Sequence, residues 1–207
     1  MKPKKRSVGA AERDEWLRAA WRVTLLAQRT DPQRLVFVDE MGAHTSLSPI
    51  YAYSPKAQKA YCSVPLNRGP NTTLLSCMSV EGMGASLIVE GATDRDAFEV
   101  YVERVLSPEP RPGQVVVMDN PTAHKGERGR ELIEGRGCEL LYLQPYSPDF
   151  DPIEEAFAEI KGLLRKAEAR TREALVEAMG IAISAVSAQD ARGFFEHCGY
   201  RPRVQLL

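Results

Sequence analysis

The 207 residues hold only four cysteines, three histidines and two tryptophans. Cys62, Cys77, Cys138 and Cys198 form no CxxC pair and no zinc-ligand spacing, which excludes a zinc ribbon and a disulfide framework. They read as reduced thiols of a cytoplasmic protein. No apolar run approaches the roughly 18 residues that a bilayer span needs, and no signal-peptide pattern opens the chain. Internal repeats and low-complexity stretches are absent too, so solenoids and disordered tracts are excluded as the main architecture.

An apolar fraction of 43% and a charged fraction of 27% are those of a globular protein, long enough for one well-buried domain with appendages. The net charge of −1 hides an uneven distribution. Residues 1–30 carry eight Lys/Arg against three Asp/Glu, and residues 161–173 carry five against two. The acids gather around Asp39–Glu40 and Asp149–Glu159. Basic surface beside a knot of carboxylates suits a metal-using enzyme that acts on phosphates, although ordinary helix surfaces produce it as well.

The clearest local signal lies in Leu140–Lys161. Leu140–Leu143 is an apolar run of strand length, and Pro145, Pro148 and Pro152 then impose extended or turn geometry. Ile153, Ala156, Phe157, Ile160, Leu163, Leu164 and Ala167 recur at steps of three and four, one face of a helix. Asp151 at the cap and Pro152 at the first helical position start it, with Glu154 able to act as a reciprocal capping partner. Lys161 and Arg165 follow Glu154 along one line of that helix.

The remaining chain predicts a helix over residues 10–29 with Leu17, Trp21 and Leu25 on its buried face, and Trp16 packed with them. Leu35–Val38 reads as a strand that delivers Asp39 and Glu40 to its carboxyl end. Residues 43–70 read as a long surface excursion with one strand near Ala60–Val64. Thr72–Val80 and Ala85–Val89 flank a glycine-containing hairpin turn. Asp94–Leu106 reads as a helix, Val115–Met118 as a buried strand ending at Asp119, and Gly126–Glu134 as a short helix. Ala174, Leu175, Ala178, Ile181, Ala182 and Val186 form the apolar face of a further helix, and Phe194 with Phe195 anchors the last. Strands alternating with helices in the second half argue for parallel crossovers, and the meander before them for a mixed sheet.

Asp39, Asp119 and Glu154 thus fall at strand ends and at a helix start, where open α/β sheets gather their ligands. Two carboxylates about 4 Å apart repel by roughly 4 kcal/mol at an effective dielectric of about 20. Such a group takes up protons or binds a divalent cation, and all-oxygen ligation suits Mg²⁺ or Mn²⁺.

The blocks Val36–Gly42 (VFVDEMG), Val116–Lys125 (VVMDNPTAHK) and Tyr146–Glu154 (YSPDFDPIE) resemble the signature blocks of mariner-type insertion-sequence transposases. Between Asp119 and Glu154 lie 34 residues, the spacing of one large branch of that family. The resemblance runs from about Leu35 to Tyr200. It implies an α/β, ribonuclease H-like mixed sheet flanked by helices, with an N-terminal helix and extra C-terminal helices. Residues 1–34 would be a basic tail and helix, 35–168 the catalytic domain and 169–207 a helical extension.

It also implies an Asp-Asp-Glu triad of Asp39, Asp119 and Glu154 that holds two Mg²⁺ or Mn²⁺ ions, cleaves transposon ends and joins them to target DNA. Asn120 and His124 would lie near that site, and Lys125, Lys161 and Arg165 would contact DNA phosphates. His44 and His197 read instead as structural or solvated. The expected partners are DNA, a second copy of the chain in the active complex, and a separate helix-turn-helix domain or chain, at the nucleoid. The pattern departs from the family's at Asp151, where Asn is usual, and at Gln144, where Pro is common. Two other readings remain open: another ribonuclease H-like nuclease, or a truncated copy that only binds DNA or an intact transposase.

Overall fold

The central strand holds its place because its first four residues are apolar on both faces. The computed structural model describes residues 14–27, 31–67, 69–119 and 127–201. In it Leu35–Ala43 forms β1, Thr72–Ser79 β2, Gly82–Glu90 β3, Val115–Met118 β4 and Glu139–Tyr142 β5. These make one sheet in the order β3-β2-β1-β4-β5. β2 pairs antiparallel with both β1 and β3, whereas β4 pairs parallel with both β1 and β5. The sheet is therefore the mixed one that meander and crossovers call for. Leu35 pairs with Val115 and Val38 with Met118, so Asp39 and Asp119 each follow the last parallel pair on neighbouring strands.

The helices are α1 (Glu15–Ala27), α2 (Arg95–Val100), α3 (Glu127–Glu134), α4 (Pro152–Ala167), α5 (Arg172–Ala185) and α6 (Ala188–His197). Alternation along the strands sorts the core into two layers. Leu35, Phe37, Met41, Leu74, Val115 and Val117 pack with Ile153, Phe157 and Ile160 of α4 and with Met179 and Phe195 behind it. Val36, Val38, Leu75, Val116, Met118 and Leu140 pack on the opposite face with Phe98, Tyr101, Leu106 and Ile133. The odd-numbered residues of β1 face α4, and Asp39 belongs to that set.

The last helices share the α4-side core. Phe195 meets the Phe37 ring edge-on at 5.3 Å, and Tyr200 lies 5.2 Å from it. The Tyr200 hydroxyl donates to the Phe150 carbonyl at 2.7 Å, which ties the end of the fold to the turn before α4.

Several expectations need correction. Ala60–Val64 is not a strand: 44–71 runs as turns and irregular chain among its described residues. Its flanking strands pair with each other, and Ala60–Val64 pairs with none of the five strands. The helix expected over Asp94–Leu106 starts at Arg95, with Asp94 as its cap accepting from the Ala97 N–H, and it widens into a π-helical stretch at Tyr101–Leu106. Ile181 points outward, and Met179 takes its place in the core.

The buried face of α1 is also turned from the predicted one. Trp21 is buried, but so is Arg18, whereas Trp16 is 88% exposed and Leu17 and Val23 are largely exposed. The rotation follows from what Arg18 finds beneath it.

Candidate active site

Asp39 sits on β1, one residue past the apolar run, half-buried and facing α4. Asp119 follows β4 with its side chain exposed, and Glu154 is exposed in the first turn of α4. The three line a cavity of about 580 Å³ together with Glu40, Gln144, Tyr146, Ser147 and Asp151. Burial, aided by repulsion from Glu154 and Asp119, pushes the Asp39 carboxyl up to about 7.

Asp151 is the most buried of these acids, at 4% exposed. It caps α4 as predicted, its side chain accepting from the Ile153 N–H at 3.3 Å. Its own N–H donates to the Pro148 carbonyl at 3.1 Å, so Glu154 is not needed as a reciprocal cap. Burial first, and the Asp39 charge second, hold the Asp151 carboxyl well above the usual carboxylate range. Glu155, the acid next to Glu154, lies outside the cavity lining and pairs with Nδ1 of His197. That contact raises the His197 pKa.

The structure does not bring all the predicted residues together. Lys161 and Arg165 lie half-exposed on α4, seven and eleven residues beyond Glu154 and outside the cavity lining. Asn120, His124 and Lys125 lie outside the described residues.

Two features escaped sequence reasoning. Tyr146, at the cavity, adopts a left-handed backbone with φ 58°, a conformation that costs a non-glycine residue free energy and collects at functional sites. Arg18, only 1% exposed, reaches from α1 into the turn before α4. Its Nη1 donates to Ser147 Oγ at 2.7 Å and to Asp149 Oδ1 at 3.0 Å, and its Nη2 to Asp149 Oδ2 at 2.6 Å. Its guanidinium also lies 4.2 Å from the Phe150 ring centroid. The planar fork matches the carboxylate, as a lysine would not. An arginine between Leu17 and Trp21 reads as a solvated charge; its only sequence signal was an interrupted apolar stripe.

Among the described residues no three His, Cys, Asp or Glu side chains stand close enough together to hold an ion as they are. The donor set nevertheless suits a hard divalent cation in kind. It consists of oxygens alone, and a 2+ charge would relieve the repulsion and desolvation acting on Asp39.

The chain is a member of the DDE superfamily endonucleases, whose sequence profile matches residues 34–176. Its fold is the ribonuclease H-like fold of the Mos1 mariner transposase. A pre-cleavage Mos1 transpososome superposes with a TM-score of 0.76 at 16% identity, covering 97% of this chain and 65% of that one. The Mos1 paired-end complex with Mg gives 0.71 at 18% identity, over 96% and 64%. The isolated Mos1 catalytic domain gives 0.66 at 16% identity, over 94% of both chains. This chain thus spans about 65% of the transpososome's transposase chain and nearly all of the catalytic domain. No curated protein matches the sequence.

Proposed function

We propose that the chain is the catalytic domain of a mariner-type transposase that cleaves DNA and transfers the cut strand. The observation that carries this reading is the placement of Asp39 on the α4 face of the central strand, within electrostatic reach of Asp119 and Glu154. Those three residues would hold Mg²⁺ or Mn²⁺, most simply as a pair. When bound, such ions activate a water or a 3′-hydroxyl and stabilise the leaving oxygen of a phosphodiester.

The chain's own residues supply the frame. Asp39 is paired with Ser76 of β2 one residue beyond the last β1–β4 pair, so its backbone is held in the ladder. Asp151 fixes the start of α4 and with it the direction of Glu154. Lys161 and Arg165, further along α4, would meet phosphates of the DNA beyond the cut. The similar Mos1 structures include a paired-end complex with the left transposon end and a strand transfer complex. By analogy the partners proposed here are transposon ends, target DNA and a second copy of the chain.

The test is nicking of supercoiled plasmid with Mn²⁺ or Mg²⁺. The chain should nick, and Asp119→Ala and Glu154→Ala should not. Cation-independent binding without nicking would instead favour a copy that only binds DNA. Without an added helix-turn-helix chain, terminal repeats and scrambled duplexes should bind equally, with affinity falling steeply as salt rises.

A further inference from the structure

From Met41 to Val80 the chain contains no Asp or Glu at all, while Lys56, Lys59 and Arg68 supply three positive charges. With residues 1–30 and 161–173 it is one of three cationic stretches of the chain, and of the three it alone holds no acid. It leaves the sheet at the carboxyl end of β1, four residues past Asp39, or about 13 Å along the strand. The excursion therefore rises from the same sheet edge as the acids.

Its base is built. Arg170 Nη1 donates to the Leu47 carbonyl at 2.7 Å and to that of Thr45 at 3.2 Å, joining the excursion to the α4–α5 connection. Ser46 Oγ donates to the Pro65 carbonyl, which closes the two arms. The tip is a turn in which the Gln58 N–H donates to Pro55 O at 3.0 Å and Ser54 Oγ donates to Gln58 O at 2.8 Å. Around that tip Tyr51, Tyr53 and Tyr61 are each about 90% exposed or more. Three whole aromatic rings in water, beside two lysines, form an unfilled contact surface.

We propose that the excursion over 48–63 is a nucleic-acid contact arm, on which Tyr51, Tyr53 and Tyr61 stack unpaired bases while Lys56 and Lys59 meet the adjoining phosphates. The inference rests on the reading that the chain acts on DNA, and it names where the strand beside the cut is held. Charge decides between DNA and a protein partner. An acid-free arm with cations at its tip matches a polyanion, and aromatic faces accept any base without sequence preference. Strand ends freed at a cut are where unpaired bases arise.

The experiment uses the full chain with Tyr51→Ala, Tyr53→Ala and Tyr61→Ala, singly and together, and with Lys56→Gln/Lys59→Gln. Probes are a labelled 20-nucleotide single strand and a blunt duplex of the same sequence, titrated by fluorescence anisotropy at two salt concentrations. Each tyrosine change should weaken single-strand binding about tenfold, in keeping with the usual worth of one base–aromatic stack, and change duplex binding less. The lysine pair should make the salt dependence shallower. Because the tyrosines touch nothing that holds the core, melting should be unchanged, which separates lost contact from lost fold.

Single-strand affinity unchanged in the triple variant overturns the proposal. So does loss of self-association in sedimentation with DNA affinity intact, which would assign the arm to a second copy. A wild-type chain that binds single strands through these tyrosines but never nicks would leave the arm standing and remove the catalytic reading instead.

Discussion

At the scale of single residues, Asp39 and Asp151 make the folded protein sensitive to pH. The Asp39 carboxyl, held at about 7, binds its proton more tightly folded than unfolded. A raised pKa of this kind stabilises the fold below the unfolded value near 4 and loses that contribution as pH rises through about 7. The loss is at most about 4 kcal/mol, and Asp151 acts in the same direction. Thermal melts in chelator should therefore show Tm falling between pH 4 and pH 7.5, and Asp39→Asn should flatten the fall. Mn²⁺ should raise Tm at pH 7.5 in the wild type and much less in Asp39→Asn. A second expectation concerns the cap. Asp151→Asn keeps the acceptor for the Ile153 N–H and removes a charge, so it should melt no lower than wild type and still nick. Asp151→Ala should lose about 1 kcal/mol in urea unfolding. A nicking defect in Asp151→Asn as deep as that of Glu154→Ala would make Asp151 the third acid.

Elements differ in how much of them could be read beforehand. The end of β4 before Asp119 and the Asp151-Pro152 start of α4 were legible because each is written in a few adjacent residues, whereas the strand expected to end before Asp39 runs on to Ala43, paired with β2. Local chemistry sets turn and cap without reference to the rest of the chain. The facing of α1 was not legible, since periodicity reports which side is apolar and is silent about a distant carboxylate able to draw an arginine inward. The Ala60–Val64 stretch failed similarly, because its composition does not reveal that β1 and β2 on either side of it pair directly with each other. The contacts of α1 are open to test. Removing one partner of a buried pair costs about 3–5 kcal/mol, and with Asp149 half-exposed to water the cost of Arg18→Met should fall nearer 2 kcal/mol. Arg18→Lys should recover little of it, because an ammonium cannot span both carboxylate oxygens. Urea unfolding and the rate of proteolytic cleavage within α1 would measure both.

For the molecule as a whole, the residues after 168 are held by the same core as the sheet. Leu175, Met179, Ala182 and Phe195 lie in one cluster with Phe37, Val117 and Phe157. A chain ended after Ala185 would uncover Phe37 and remove the Tyr200 bond to the turn before Asp151. Such a chain is expected to lose its sharp urea transition and its Mn²⁺-induced rise in Tm together. A shortened chain that keeps both would show 186–207 to be separable. At the other end, Arg18 bridges 129 residues of sequence to Ser147. In mechanical terms that contact is a load path: tension applied ahead of Asp14 reaches the turn before α4 before it reaches β1. Side-chain hydrogen bonds and the guanidiniums of Arg18 and Arg22 over the Phe150 ring carry that load, whereas β1 is held by ladders on both sides. The helix should act as a fuse, parting in a small early step when the chain is pulled from its first helix in an optical trap, with the acid-bearing sheet still whole until the main rupture.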